Sequence, residues 1–206
     1  DGTFGTLFMP SQTGGSNWPG GAVDPETGIM YIFSKSDVGR MSMSNRPDRS
    51  DMDYINLQSR NAPRLFVDGL PLIKPPYGQI VALDLNEGEK LWDAVHGETP
   101  DSIRNHPALE GLDLPATGQA GRVGVLLTKT LVIAGDGGSY TNADGEQEAL
   151  LRAYDKFTGE QLGSLAMPAQ QTGSPMTYAI DGVQYLAVAI SGGDVPGRLR
   201  IYSYEP

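Results

Sequence analysis

The chain has 206 residues, a formal charge of −10 at neutral pH, 39% hydrophobic residues and no cysteine. That length suits one ordinary domain or a piece of a larger one. The acidic balance argues against nucleic acid or an anionic membrane surface as the main partner, and the missing cysteines exclude disulfides and thiolate metal sites. The 27 glycines and 15 prolines make up 42 of the 206 residues, well above the usual share of about 12%. Because the chain is too hydrophobic for disorder, they read as punctuation between short strands. No apolar run approaches the ~18 residues that span a bilayer. The start, "DGTFGTLFMP", lacks the basic and apolar regions of a signal peptide, as a mature or truncated chain also would.

In chain order, the pattern is β almost throughout. "GGAVDPETGIMYIFS" is two apolar runs around Pro25-Glu26-Thr27-Gly28, a hairpin signature. Residues 37–76 follow as a long excursion with six of the fifteen basic residues and three of the seven methionines. Such a segment fits a cover over a funnel or a partner's docking site, and equally a tether along a rim. "QIVALDLNEGEKLWDA" is a hairpin of a second type, turning at Asn86-Glu87-Gly88. The next stretch, "TPDSIRNHPALEGL", comes nearest to a helix but is broken by Pro107 and flanked by Pro100 and Pro115. His96 and His106, the chain's two histidines, lie in this region and are expected at the surface. "VGVLLTKTLVIAG" is a hairpin of the first type. "GDGGSYTNADGEQE" gathers Asp136, Asp144, Glu146 and Glu148; it lacks the ligand order of a helical calcium loop and reads as an acidic hairpin tip at Asp144-Gly145. "LLRAYDKFTGEQLGSLA" repeats the second hairpin type, turning at Thr158-Gly159. "MTYAIDGVQYLAVAISG" repeats the first, around Asp181-Gly182.

The two hairpin types alternate. One unit is a first hairpin, a connection, and a second hairpin carrying the phrase Ala-x-Asp-x-x-x-Gly. Units of about 17–94 and 119–167 result, with an unfinished third at 172–204. Four short antiparallel strands per repeat, near 50 residues apart, are the signature of β-propeller blades, so an all-β chain of about two and a half blades is expected. Open blade edges are an aggregation hazard, so further blades or a partner chain are expected to complete the ring. Within the phrase, Asp84 and Asp155 would accept turn N–H groups, and Gly88 and Gly159 would take positive φ. Trp92 would lie flat between blades with its indole N–H on a carbonyl. The second copy has Gly163 in its place, which predicts a weaker contact there.

The full phrase Ala-x-Asp-x-x-x-Gly-x-x-x-Trp resembles the tryptophan-docking motif of the pyrroloquinoline-quinone (PQQ) dehydrogenases. "NWPGGAVDPETG", "PPYGQIVALDLNEGEKLW", "LLRAYDKFTGEQL" and "SPMTYAIDGVQYLAVAISGG" extend the likeness in order over nearly the whole chain outside 37–76. Together they resemble the C-terminal part of the eight-bladed propeller in the membrane glucose, quinate and alcohol dehydrogenase type. The resemblance implies a periplasmic quinoprotein oxidoreductase that oxidises an alcohol or sugar hydroxyl and passes electrons to a quinone or cytochrome. PQQ would lie in the central funnel on calcium, with the calcium ligands and catalytic aspartate in blades outside this chain. No catalytic or metal-binding residue is therefore expected here.

For cofactor binding, Asn17-Trp18 matches an Asn-Trp pair that opens a late blade in alcohol-oxidising members. Gly121 and Arg122 fall where family members approach the quinone. Arg122 departs from the small residue found there, and a cation facing a tricarboxylate makes physical sense. The alternatives are a turn residue for Asn17, a packed core aromatic for Trp18 and a solvent-facing Arg122. A non-catalytic propeller for protein binding is the alternative function; Asn17-Trp18 and the blade start "TGSPMTY" favour the enzyme.

Overall fold

A computed structural model describes residues 5–56 and 65–204. Three main antiparallel sheets follow one another in chain order. The first contains β1 (Gly21–Asp24), β2 (Ile29–Lys35), β3 (Gly78–Asp84) and β4 (Glu89–Val95), each paired with the next. The second contains β5 (Leu126–Leu127), β6 (Leu131–Gly135), β7 (Gln147–Asp155) and β8 (Gln161–Met167), again a meander. The third has β9 (Met176–Ile180), β10 (Val183–Gly192) and β11 (Val195–Tyr204). The chain is all-β, and each sheet is the meander of a propeller blade. The Pro-flanked stretch yields one helical turn, Asp101–Arg104, and a 3₁₀ turn, Pro107–Leu109. Among the described residues no helix is long and apolar enough to cross a membrane.

The sheets stack face to face, because each exposes an apolar row that only a neighbour can cover. Tyr31, Phe33, Ile80 and Ala82 of the first sheet pack on Val123, Val125, Val132, Ala134 and Tyr154 of the second. Ala149, Leu151 and Met167 on the second sheet's other side meet Val188 and Ile190 of the third. Strands buried on both faces read as continuous apolar runs, as "LVIAG" and "LAVAI" do.

Directional contacts fix the first joint. The Asp84 carboxylate accepts the N–H groups of Asn86 and Glu87, and Asp155 accepts those of Phe157 and Thr158. Gly88 and Gly159 close these turns at φ +73° and +76°. Trp92 bridges the sheets as its phrase predicts: its indole Nε1 donates to the Lys156 carbonyl at 3.2 Å. The ring lies over Gly159, where an added Cβ would come within 2.6 Å of the indole Cε3. Beside it, Lys156 Nζ donates to Asp24 Oδ2 at 2.9 Å, with both side chains nearly buried.

His96 departs from its expected surface position. It is fully buried at this joint, between Phe33 of the first sheet and Tyr154 of the second. Burial lowers its pKa and keeps it neutral. The Gly135 carbonyl, 3.1 Å from Nε2, can only accept, so Nε2 carries the proton; the Tyr154 hydroxyl donates to Nδ1 at 2.8 Å. A flanking Pro-rich sequence concealed this core role, which depends on Gly135 and Tyr154 from a later repeat. His106 is half-buried and bonds the Asp68 carbonyl of the excursion.

Two predictions test the joint. Trp92→Ala should cost about 3 kcal/mol, the low end for a truncated core aromatic, because the ring is only half-buried. Gly159→Ala should cost at least about 1 kcal/mol from its left-handed backbone alone and more from the ring; denaturant titration reads both, and unchanged midpoints would remove Trp92 from the joint. The second prediction concerns pH. The hydrogen bond from Lys156, reinforced by the Glu26 N–H, lowers the Asp24 carboxyl from its ordinary 3.8 to about 2. A depressed folded-state pKa stabilises above the unfolded value and is lost as pH falls through the folded one. The stability gap between the parent chain and Asp24→Asn should therefore be constant above pH 4 and shrink toward pH 2. A gap independent of pH would contradict the ion pair.

Candidate functional site

The segments that lead into the first strands of the three sheets converge. Ser174 Oγ lies 3.4 Å from the Pro19 carbonyl, and Gly124 packs against both Ser174 and Pro19. On this inner side, Gln12, Thr13, Ser16, Asn17, Trp18 and Arg122 surround an opening of about 460 Å³. Three of the four candidate residues thus share one site although Arg122 is more than a hundred positions from Trp18. Gly121 stands next to it in the chain. A Cβ there would fall 2.6 Å from the Gly137 Cα, so the absence of a side chain lets the segment before β5 pass close to Gly137 just where Arg122 follows.

The chain's two tryptophans have opposite fates. Trp92 is wedged between sheets, whereas Trp18 is 98% exposed and packs on no core among the described residues. An indole held in water is unfavourable by area, and local hydrogen bonds hold this one out. Asn17 Oδ1 accepts the Trp18 N–H at 2.8 Å, Asn17 Nδ2 donates to the Thr13 carbonyl at 2.8 Å, and the Asn17 carbonyl accepts the Gly20 N–H at 2.8 Å. Asn17 is thus a turn-forming residue that presents Trp18, and one of its two amide hydrogens remains available. Arg122 is exposed and has no ion pair among the described residues.

A polar brace supports the opening from below, and sequence reasoning missed it. Lys35 Nζ, at the end of β2, donates to Thr13 Oγ1 at 2.6 Å and to Asp37 Oδ2 at 3.0 Å; Ser11 Oγ donates to the same carboxylate oxygen at 2.7 Å. Burial pushes the Asp37 carboxyl up, but the Ser11 and Lys35 hydrogen bonds outweigh it and hold the group below its usual range. The only sequence signal was a lysine closing an apolar run.

A second opening of about 450 Å³ lies on the other side of Asp37, under the excursion. Phe66, Ile73, Tyr77 and Ile103 give it apolar walls, and Gln119-Ala120, the residues just before Gly121-Arg122, close one end. The excursion lines one side of this cavity and carries two short ribbons, Met43–Ser44 with Ile55–Asn56 and Phe66–Val67 with Leu70–Pro71. No cluster of His, Asp or Glu able to hold a metal occurs among the described residues.

Stacked antiparallel meanders, with an exposed indole and an exposed arginine around one opening, define an all-β chain of partial β-propeller fold. The chain belongs to the PQQ glucose/ethanol/alcohol dehydrogenase β-propeller domain family, whose description matches residues 2–186. It is 24% identical to quinoprotein glucose dehydrogenase A of Acinetobacter calcoaceticus over 202 residues, covering 91% of this chain and 24% of that protein. It is 30% identical to lupanine 17-hydroxylase [cytochrome c] of a Pseudomonas species, over 95% of this chain and 22% of the relative. The crystal structure of quinohemoprotein alcohol dehydrogenase from Comamonas testosteroni matches with a TM-score of 0.63 at 18% identity, covering 98% of this chain and 28% of that one; this likeness shows the fold. The chain spans about a quarter of the length of the curated relatives it matches.

If local bonds rather than packing hold Trp18, its removal should leave stability within about 0.5 kcal/mol, as for a surface substitution. Thermal melting of Trp18→Ala against the parent chain checks this, and a loss as large as that of Trp92→Ala would return Trp18 to the core.

Proposed function

We propose that this chain forms the late blades of a periplasmic PQQ-dependent dehydrogenase, which oxidises an alcohol or sugar hydroxyl and passes the electrons to a quinone or cytochrome acceptor. The observation that carries this is the pairing of an exposed indole face with a free guanidinium around one opening at the inner strand ends. A flat, aromatic tricarboxylate matches that pair: the ring can stack on Trp18 and a carboxylate can take a bidentate bond from Arg122. Asn17 presents the indole and has an amide hydrogen left for a cofactor oxygen, while Gly121 sets the depth of the cation. When bound, PQQ supplies the two-electron oxidant.

The groups of this chain bind and orient; the calcium ligands and the aspartate that takes the hydroxyl proton belong to other blades or to a partner chain. Relatives' names support the reaction class, among them quinoprotein glucose dehydrogenase and 1-butanol dehydrogenase (cytochrome c).

The experiment is a PQQ titration followed by tryptophan fluorescence in the complete enzyme. Arg122→Ala should weaken binding about ten- to a hundred-fold, the worth of a hydrogen bond to a charged group, roughly 1.5–3 kcal/mol. Asn17→Ala should weaken it less and leave the melting temperature of the apo-protein unchanged. Affinity indifferent to Arg122 would leave that residue facing solvent and overturn the assignment.

A further inference from the structure

No packing holds the Trp18 indole, so its place in space is set through the loop that carries it. That loop, residues 11–17, is tied to the end of β2. The Gly15 carbonyl accepts the Lys35 main-chain N–H at 2.8 Å, and the Lys35 side chain, only 9% exposed, reaches the same loop at Thr13. On the far side of Trp18 the contact is looser. Ser174 Oγ stands 3.4 Å from the Pro19 carbonyl, beyond the length of a good hydroxyl hydrogen bond. The firm anchor is therefore on the Lys35 side.

Counting protons gives the side-chain contacts of this anchor a direction. A carboxylate only accepts, so the Ser11 hydroxyl proton lies on Asp37 Oδ2 at 2.7 Å. The 3.1 Å contact between Ser11 Oγ and Thr13 Oγ1 then has Thr13 as its donor. Thr13 Oγ1 in turn accepts from Lys35 Nζ at 2.6 Å, and Lys35 Nζ also donates to Asp37 Oδ2 at 3.0 Å. Lys35, Thr13, Ser11 and Asp37 thus form a closed ring in which each hydroxyl accepts once and donates once. The ring fixes Thr13, whose carbonyl accepts Asn17 Nδ2 at 2.8 Å. The oxygen of that same amide accepts the Trp18 N–H at 2.8 Å.

We propose that Lys35 is a positioning residue for Trp18, acting through the ring and the Thr13–Asn17 relay to hold the indole ready for a flat ligand. Lys35 does not line the opening itself, so it acts through Thr13. A buried ion pair adds little net stability, because desolvation offsets its attraction. Its consequence here is geometric: opening any link leaves a polar group of the ring without its partner, so the loop has one favoured arrangement. An indole fixed in advance loses less freedom when a ligand stacks on it. The bearing on the cofactor rests on the function proposed above; the hold on Trp18 does not.

Backbone relaxation of the Trp18 N–H, measured by nuclear magnetic resonance on the full chain, tests this without any cofactor. Its order parameter should be near the rigid value of about 0.85 in the parent and fall below about 0.6 in Thr13→Val and Lys35→Met. Thr13→Val keeps the shape and every charge and removes one hydroxyl; Thr13→Ser, which returns it, should restore the rigid value. The Trp92 N–H should stay rigid throughout, which reports that each variant is folded. If Lys35→Met does not fold, the two Thr13 variants decide. A rigid Trp18 in folded Thr13→Val overturns the proposal, as does Thr13→Ser being as mobile as Thr13→Val. A PQQ titration of the complete enzyme then separates this role from the cofactor reading. Thr13→Val should weaken binding about two- to ten-fold, the cost of ordering one side chain. A mobile Trp18 with unchanged PQQ affinity would uphold the role of Lys35 and overturn Trp18 as the stacking face.

Discussion

The arrangement depends on one side chain laid across a seam. Apolar faces bring two twisted sheets together, but burial is non-directional and would tolerate many angles between them. The indole of Trp92 removes that freedom. Its face needs the bare backbone of Gly159, and its N–H needs the Lys156 carbonyl. Both lie in a turn whose shape the Asp155 carboxylate has already fixed. The phrase that repeats in the sequence thus has two halves with two addresses: its Asp and Gly shape the turn of their own sheet, and its Trp reaches the turn of the next.

The same seam gathers the buried polar groups. Asp24 and Lys156 pair across it, and His96 spans from Tyr154 to Gly135. Arg152 donates to both oxygens of the fully buried Asp136 and also to Glu98. Desolvating such groups costs several kcal/mol, so as stability they offset little. Their consequence is that any other alignment of the two sheets would leave a charge or an imidazole buried without its partner. The inner ends of these two sheets carry Trp18 and Arg122, so the seam that is most tightly specified is also the one that sets the distance between an indole and a guanidinium.

The second seam has burial without this directional set. Where the first has Tyr31 and Trp92, it has Ile133 and Gly163.

The repeat was legible in the sequence because local rules write it: alternation and apolar runs gave the strands, and Asp-Gly and Thr-Gly pairs gave the turns. The spacing of Ala, Asp, Gly and Trp gave the seam, down to the indole's carbonyl partner in kind. The turn that Asn17 forms is equally local, through its side-chain bonds to Thr13 and Trp18. What the tertiary structure alone decided were the contacts between distant segments. His96 looked like a surface residue because its two partners, Gly135 and Tyr154, come from the following repeat. Trp18 and Trp92 are the same residue type beside similar strands, yet one is wedged and the other stands in water, because only one has a glycine turn facing it. Lys35, Thr13 and Asp37 form a brace only once β2 returns past the amino-terminal segment. The sequence by itself determined the strands, the turns and the family; the meeting of Trp18 with Arg122 needed the sheets to stack, since no local rule links residues a hundred positions apart.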